Sequence, residues 1–166
     1  MDELEDVNPA IEAALGLGGD VVAIRKYYAD WAVDYDRDVG ADEYAVPATT
    51  VDVLRALGRE RGLDFDPTSQ TTVVVDAGYG TGLVGSALAE AGIDGLDLSE
   101  DMIGVARQRG IYRRLESGVD LNQPIDRQWA RSADLVTVCG VFTGHAPYTL
   151  DSRGHYWAYR VRHVAA

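Results

Sequence analysis

A chain of 166 residues, 46% of them hydrophobic, is long enough for one domain with a buried core and too apolar to be disordered. Its formal net charge of −12 repels phosphate backbones, which makes nucleic acid a poor partner. No apolar run approaches the roughly eighteen residues of a membrane span. The acidic start Met1-Asp2-Glu3-Leu4-Glu5-Asp6 lacks the basic opening of a signal peptide, so a cytoplasmic protein is expected.

Residues 1–19 read as an acidic extension with one short helix. Asn8 and Pro9 form a helix-start pair, and the helix can run to Leu15 before Gly16, Gly18 and Gly19 end it. Asp20 is the next N-cap. From there Val21, Ile24, Tyr28, Trp31 and Tyr35 recur at offsets of three and four, which predicts one helix with an aromatic face. Pro47 opens a further helix in which Val51, Leu54 and Leu57 share a face, with Gly62 as its stop. Asp64 to Ser69 is turn-rich.

The densest signal is Val73-Val74-Val75-Asp76-Ala77-Gly78-Tyr79-Gly80-Thr81-Gly82. A β-branched run ends at a carboxylate, a glycine-dense turn follows, and a helical pattern runs from Leu83 to Glu90, closed by Gly92. That is the opening of a βαβ unit. Glycines here permit positive φ and close approach of a ligand to the backbone. The dinucleotide fingerprint needs glycine at relative positions 1, 3 and 6. Gly78 and Gly80 fill the first two, but position 6 is Leu83, so a nicotinamide cofactor is disfavoured.

The short apolar segment in Ile93-Asp94-Gly95-Leu96-Asp97-Leu98-Ser99, with a carboxylate at its end, reads as the second strand. Asp97 at its end can accept hydrogen bonds from ribose hydroxyls. Ser99 caps a helix from Glu100 to Arg109, whose acidic start and basic end suit the helix dipole. Ile111 to Glu116 is open between helix and strand, and Leu121 to Trp129 is a loop or short helix. Leu135 to Val138 is an apolar strand covered on both faces. It runs into Cys139, the lone cysteine, which excludes an internal disulfide and reads as a buried, inert thiol. The alternation predicts an α/β chain with a doubly wound, mostly parallel, Rossmann-like sheet. Its ligand crevice lies at the carboxyl ends of the strands, where Asp76, Asp97, Asp120 and Gly140 fall.

Four segments together resemble the motifs of class I S-adenosylmethionine (SAM)-dependent methyltransferases, over residues 25 to 146. They are Asp76-x-Gly78-x-Gly80-Thr81-Gly82, Gly95-Leu96-Asp97-Leu98-Ser99-Glu100-Asp101-Met102, Gly118-Val119-Asp120-Leu121, and Ala133-Asp134-Leu135-Val136-Thr137-Val138-Cys139-Gly140. The likeness is closest to the small methyltransferases related to the Williams–Beuren-region protein. It implies SAM as cofactor and an unknown, small-molecule methyl acceptor. It implies Asp97 on the ribose, Met102 against adenine and Asp120 on the adenine amino group. Asp76, Gly78, Gly80, Gly82, Leu98, Leu121, Cys139 and Gly140 complete the implied pocket. Tyr28, Trp31, Ala32, Tyr35 and Asp36 match a lid segment, so 20–66 is expected as a helical lid, 71–142 as the core and 143–166 as an atypical tail. Tyr79 stands where the family often has a small residue, which threatens to crowd the turn.

Methyl transfer needs no metal, and His145, His155 and His163 lack metal-ligand spacing. No catalytic residue is assigned; His145 is a candidate general base or a loop residue. The family domain continues past the fourth motif with a helix and three more strands, whereas about twenty residues follow here. A C-terminally shortened domain is therefore expected. The competing reading is a catalytically impaired SAM-binding fragment or partner subunit. Trp157, Tyr159 and Val161 alternate with Ala158, Arg160 and Arg162, which predicts an edge strand beside the fourth one.

Overall fold

A computed structural model describes residues 9–17, 20–41, 44–60, 66–131, 133–141 and 157–159. Four helices precede the sheet: α1 (Pro9–Leu15), α2 (Val21–Trp31), α3 (Tyr35–Ala41) and α4 (Val46–Glu60). Strands and helices then alternate: β1 (Val73–Ala77), α5 (Leu83–Ala87), β2 (Gly92–Leu96), α6 (Glu100–Gln108), β3 (Tyr112–Glu116), α7 (Arg127–Arg131), β4 (Leu135–Val138) and β5 (Trp157–Tyr159).

The sheet has the order β3-β2-β1-β4-β5. The pairs β2–β3, β1–β2 and β1–β4 are parallel, and β4–β5 is antiparallel. This is the expected Rossmann-like, mostly parallel sheet. The chain winds outward from β1 through β2 to β3, then returns to the other side of β1 for β4. The strand order therefore reverses between β1 and β4. A crevice opens at such a switch point, above the carboxyl ends of the two strands.

Each face of the sheet is covered because each strand sends alternate residues to opposite sides. Val74, Ile93 and Leu135 pack with Val51 and Leu54 of α4 and with Val84 and Leu88 of the α5 segment. On the opposite face Val75 and Leu96 meet Trp129 of α7 and Ala133. The edge strand β3 has its own protection. Arg113 grips the buried Asp94 carboxylate at 2.7 and 3.0 Å, Arg114 reaches it at 3.0 Å, and the Arg114 guanidinium lies 3.6 Å from the Trp129 ring centre.

Several local expectations hold because their causes are local. Asp20 accepts from the backbone N–H groups of Val22 and Ala23 at 2.9 and 3.1 Å, and Ser99 accepts from Met102 at 3.4 Å. The 111–116 segment is the strand β3. Over 157–159 the tail segment does pair with β4, in antiparallel register with Tyr159 opposite Val136. Residues 143–155 and 160–166, with all three histidines, lie outside the described residues, as do Asn8 and Gly62.

Three expectations change. The aromatic stripe is not one helix: α2 stops at Trp31, a turn follows, and α3 begins at Tyr35. The first crossover helix ends at Ala87, three residues before Glu90, with a Leu88 N–H bond to Gly85 closing it. Gly92 does not close that helix. It starts β2, its N–H bonded to the Thr72 carbonyl at 2.9 Å.

A ligand crevice at the switch point

The turn after β1 contains three glycines at positive φ: Gly78 at 79°, Gly80 at 52° and Gly82 at 90°. Each is there for a different reason. A Cβ on Gly78 would lie 2.1 Å from a Val141 methyl, so the turn and the end of β4 touch. A Cβ on Gly82 would press on Tyr112 and Arg109 at 3.0–3.1 Å. Nothing lies within 4 Å of a Cβ on Gly80. Of the three, only Gly80 has open space where a side chain would stand.

Asp97 stands beside that opening. Its Oδ2 accepts from the Gly80 N–H at 2.8 Å and its Oδ1 from the Ser99 N–H at 2.8 Å. Burial raises its pKa, while the backbone donors pull against that shift. The Asp97 backbone is itself fixed: its N–H bonds the Glu116 carbonyl at 3.0 Å and its carbonyl accepts from Val119 at 2.9 Å. This brings the segment after β3 against the end of β2. Asp120 follows directly, its Oδ1 taken by the backbone and side-chain nitrogens of Asn122 at 2.9 and 3.0 Å. Leu98 and Leu121 are half-buried, and Met102 is buried.

Asp76 sits differently from Asp97. It is 1% exposed, accepts from the Tyr112 hydroxyl at 2.9 Å and the Thr137 hydroxyl at 3.2 Å, and so ties β1 to β3 and β4 inside the sheet. Burial pushes its pKa up to about 6. Hydrogen bonds from Tyr112, Thr137 and the Gly85 backbone of α5 all work against that rise. Tyr79 does not crowd the turn: its ring is buried, packs with Met102 and Ala106, and fills the space that Gly95 leaves by having no side chain. Its hydroxyl is buried without a partner among the described residues.

The aromatics of α2 and α3 divide. Tyr28 and Tyr35 pack on the Tyr79–Met102 cluster. The Trp31 ring lies 4.7 Å from that of Tyr35, but its Nε1–H is turned to Asp38 at 2.9 Å. Asp36 is the fastening. It accepts from the Thr81 hydroxyl and pairs with the Arg109 guanidinium, whose Nε–H also donates to the Thr81 carbonyl. One carboxylate thus joins α3 to the glycine turn and to the end of α6.

At the β4 side, Cys139 packs against the core and lies 3.4 Å from the Thr50 hydroxyl; burial raises the thiol's pKa, which disfavours a reactive thiolate. Gly140 is exposed with φ 69°. The Tyr44 hydroxyl is 3.8 Å from the point where a Gly140 Cβ would be.

No family model matches this chain, and no curated protein does. Among solved structures it is similar to the magnesium protoporphyrin IX methyltransferase (ChlM) of Synechocystis PCC 6803, determined with bound SAH. Identity is 25% and the TM-score 0.46, with 64% of this chain and 54% of that one covered. This chain therefore spans about half the length of that neighbour.

Sequence reasoning missed Arg109 and Tyr44. Arg109 was legible only as a helix-end cation, and nothing in the sequence around Tyr44 sets it apart. Among the described residues no group of three or more His, Cys, Asp or Glu is placed to hold a metal ion, and no helix is long and apolar enough to cross a membrane.

Proposed function

We propose that this chain binds SAM in the switch-point crevice and transfers its methyl group to a small-molecule acceptor. The observation that carries the reading is the join between Gly80 and Asp97. A glycine turn with open space over its middle residue is held at 2.8 Å to a buried carboxylate at the end of the next strand. A ligand there meets backbone on one side and a hydroxyl-binding carboxylate on the other. That suits a nucleoside with no pyrophosphate to hold, in keeping with the Leu83 break in the dinucleotide pattern.

In this reading Asp97 accepts from the ribose, Asp120 and Met102 border the base, and Tyr28 and Tyr35 cover it. When bound, SAM supplies a methyl carbon already activated by its sulfonium. The chain's own work is then to orient two molecules and exclude water. The α2–α3 segment, fastened through Asp36, serves the second task. The relationship to the Williams–Beuren-region methyltransferases rests on the Tyr28-to-Asp36 lid match and is part of the proposal.

Isothermal calorimetry with SAM, S-adenosylhomocysteine (SAH) and NAD tests the reading. Saturable binding of the first two and not the third is expected; binding of NAD alone would replace it with an oxidoreductase. Transfer of label from methyl-labelled SAM to candidate acceptors then tests turnover.

A further inference from the structure

Tyr112 begins β3 at the edge of the sheet, yet its hydroxyl donates to the buried Asp76 of β1 at 2.9 Å. To reach it the side chain crosses β2 and runs between the sheet and the start of α5. Glycines clear that path. A Cβ on Gly95 of β2 would stand 3.2 Å from the ring, one on Gly82 3.0 Å from it, and one on Gly85 only 2.3 Å from the hydroxyl oxygen. The ring packs against two parts of the core at once, the cluster covered by α4 and α5 and the cluster around Tyr79 and Met102.

We propose that Tyr112 is a positioning residue for the ligand, a strut whose ring holds the glycine turn at a fixed height over the sheet. The inference rests on the SAM reading above and adds the residue that sets the shape of its site. The turn cannot set that shape alone. Gly78, Gly80 and Gly82 are at positive φ, and glycine has the most backbone freedom to lose. Gly82 is the N-cap of α5 without a side chain to cap it, and the five residues of α5 are too few to stand without tertiary support. That support comes from outside. The Tyr112 ring lies against Gly82 and Gly85, and the Arg109 Nε–H holds the Thr81 carbonyl at 2.5 Å. Without the ring, Gly82 and Gly85 face a void into which the turn can sink, and Gly80 moves with them. The chain then gains conformations in which Gly80 and Asp97 no longer line up for one ligand. Affinity falls with the fraction of molecules that keep the competent arrangement. The hydroxyl has its separate duty to Asp76; the ring sets the height.

The experiment pairs amide exchange of the ligand-free protein with SAH calorimetry, both at a temperature where melting shows each variant folded. Tyr112→Leu removes the ring, Tyr112→Phe keeps it, and Leu135→Ala cuts the core at the start of β4, away from the crevice. Gly85→Ala displaces the strut from the other side and reports the same effect if Tyr112→Leu does not fold. In Tyr112→Leu and Gly85→Ala, exchange at Gly80 and Gly82 should quicken relative to β1, and the SAH dissociation constant should rise about tenfold, as when a tenth of the molecules stay competent. In Tyr112→Phe and Leu135→Ala it should stay within about twofold, whatever stability they lose. Unchanged exchange at Gly80 and Gly82 overturns the strut. Faster exchange with unchanged affinity, or an equal affinity loss in Leu135→Ala, overturns its service to the ligand. A wild type that binds neither SAM nor SAH removes the SAM reading, and exchange alone then decides whether Tyr112 holds the turn.

Discussion

The backbone N–H of Gly80 donates to Oδ2 of Asp97 at 2.8 Å, joining the turn after β1 to the residue just past β2. The two positions are 17 residues apart and follow two neighbouring strands, β1 and β2. The bond gives Asp97 two duties, one to the fold and one to the proposed ligand.

Asp97→Ala should therefore fail on both counts. The Gly80 and Ser99 N–H groups lose their acceptor in a buried place, which costs about 1–3 kcal/mol for each group left unsatisfied. SAH affinity should also fall roughly ten- to a hundredfold. Asp97→Asn keeps one acceptor oxygen and should recover part of the stability. Thermal denaturation and calorimetry separate the two effects; a variant unchanged in both would take Asp97 out of the site.

Gly78 and Gly80 should both lose stability as alanine, for different reasons. At Gly78 the new methyl meets Val141 at 2.1 Å, so overpacking of about 1–3 kcal/mol adds to the cost of its left-handed backbone. At Gly80 nothing stands in the way, and the cost is the left-handed backbone alone, about 1–2 kcal/mol. The ligand-induced rise in melting temperature should vanish in Gly80→Ala. Persistence of that rise would mean that no ligand passes close to Gly80.

Asp76 predicts a pH dependence with a definite sign. Burial lifts its pKa from 3.8 to about 6, above the unfolded value. The folded state then binds the proton more tightly, so this group's contribution is complete below about pH 4 and is lost as the pH rises through about 6. Asp76→Asn cannot ionise and should lack that decline, which is on the order of 3 kcal/mol. Urea melts of both proteins from pH 4 to 7.5 give the difference directly. Parallel curves would show that Asp76 is not the titrating group.

The Asp36–Arg109 pair predicts where the molecule opens. Arg109→Gln removes the ion pair and weakens the bond to the Thr81 carbonyl. Both side chains are partly exposed, so the global loss should be only about 1 kcal/mol. Amide exchange in residues 35–41 should speed up much more than in β1. Added salt should push the wild type in the same direction. Equal protection in variant and wild type would show that the pair does not fasten α3.

What the sequence made legible follows from how local each cause is. Asp20 and Ser99 announce helix starts because the cap bonds lie within three residues. Val73 to Ala77 and Leu135 to Val138 announce strands by composition. The break between Trp31 and Tyr35 was hidden because the aromatic spacing suits one helix or two. The true depth of Asp76 was hidden because its partner Tyr112 is 36 residues away and the sequence left that segment unassigned. Tyr79 misled for a similar reason: the room it needs is made by Gly95, in another strand.

The antiparallel pairing of β5 has a consequence for how the crevice mouth can vary. A parallel neighbour would have to send its connection back along the whole sheet. Here the chain leaves β4 after Val138 and re-enters at Trp157, and these two residues are paired with each other. The intervening link thus starts and finishes at the crevice end. Doubling such a link costs only about 0.6 kcal/mol in closure entropy. Its length can therefore drift without moving a rung of the ladder, so insertion there is cheap while the paired strands stay in register.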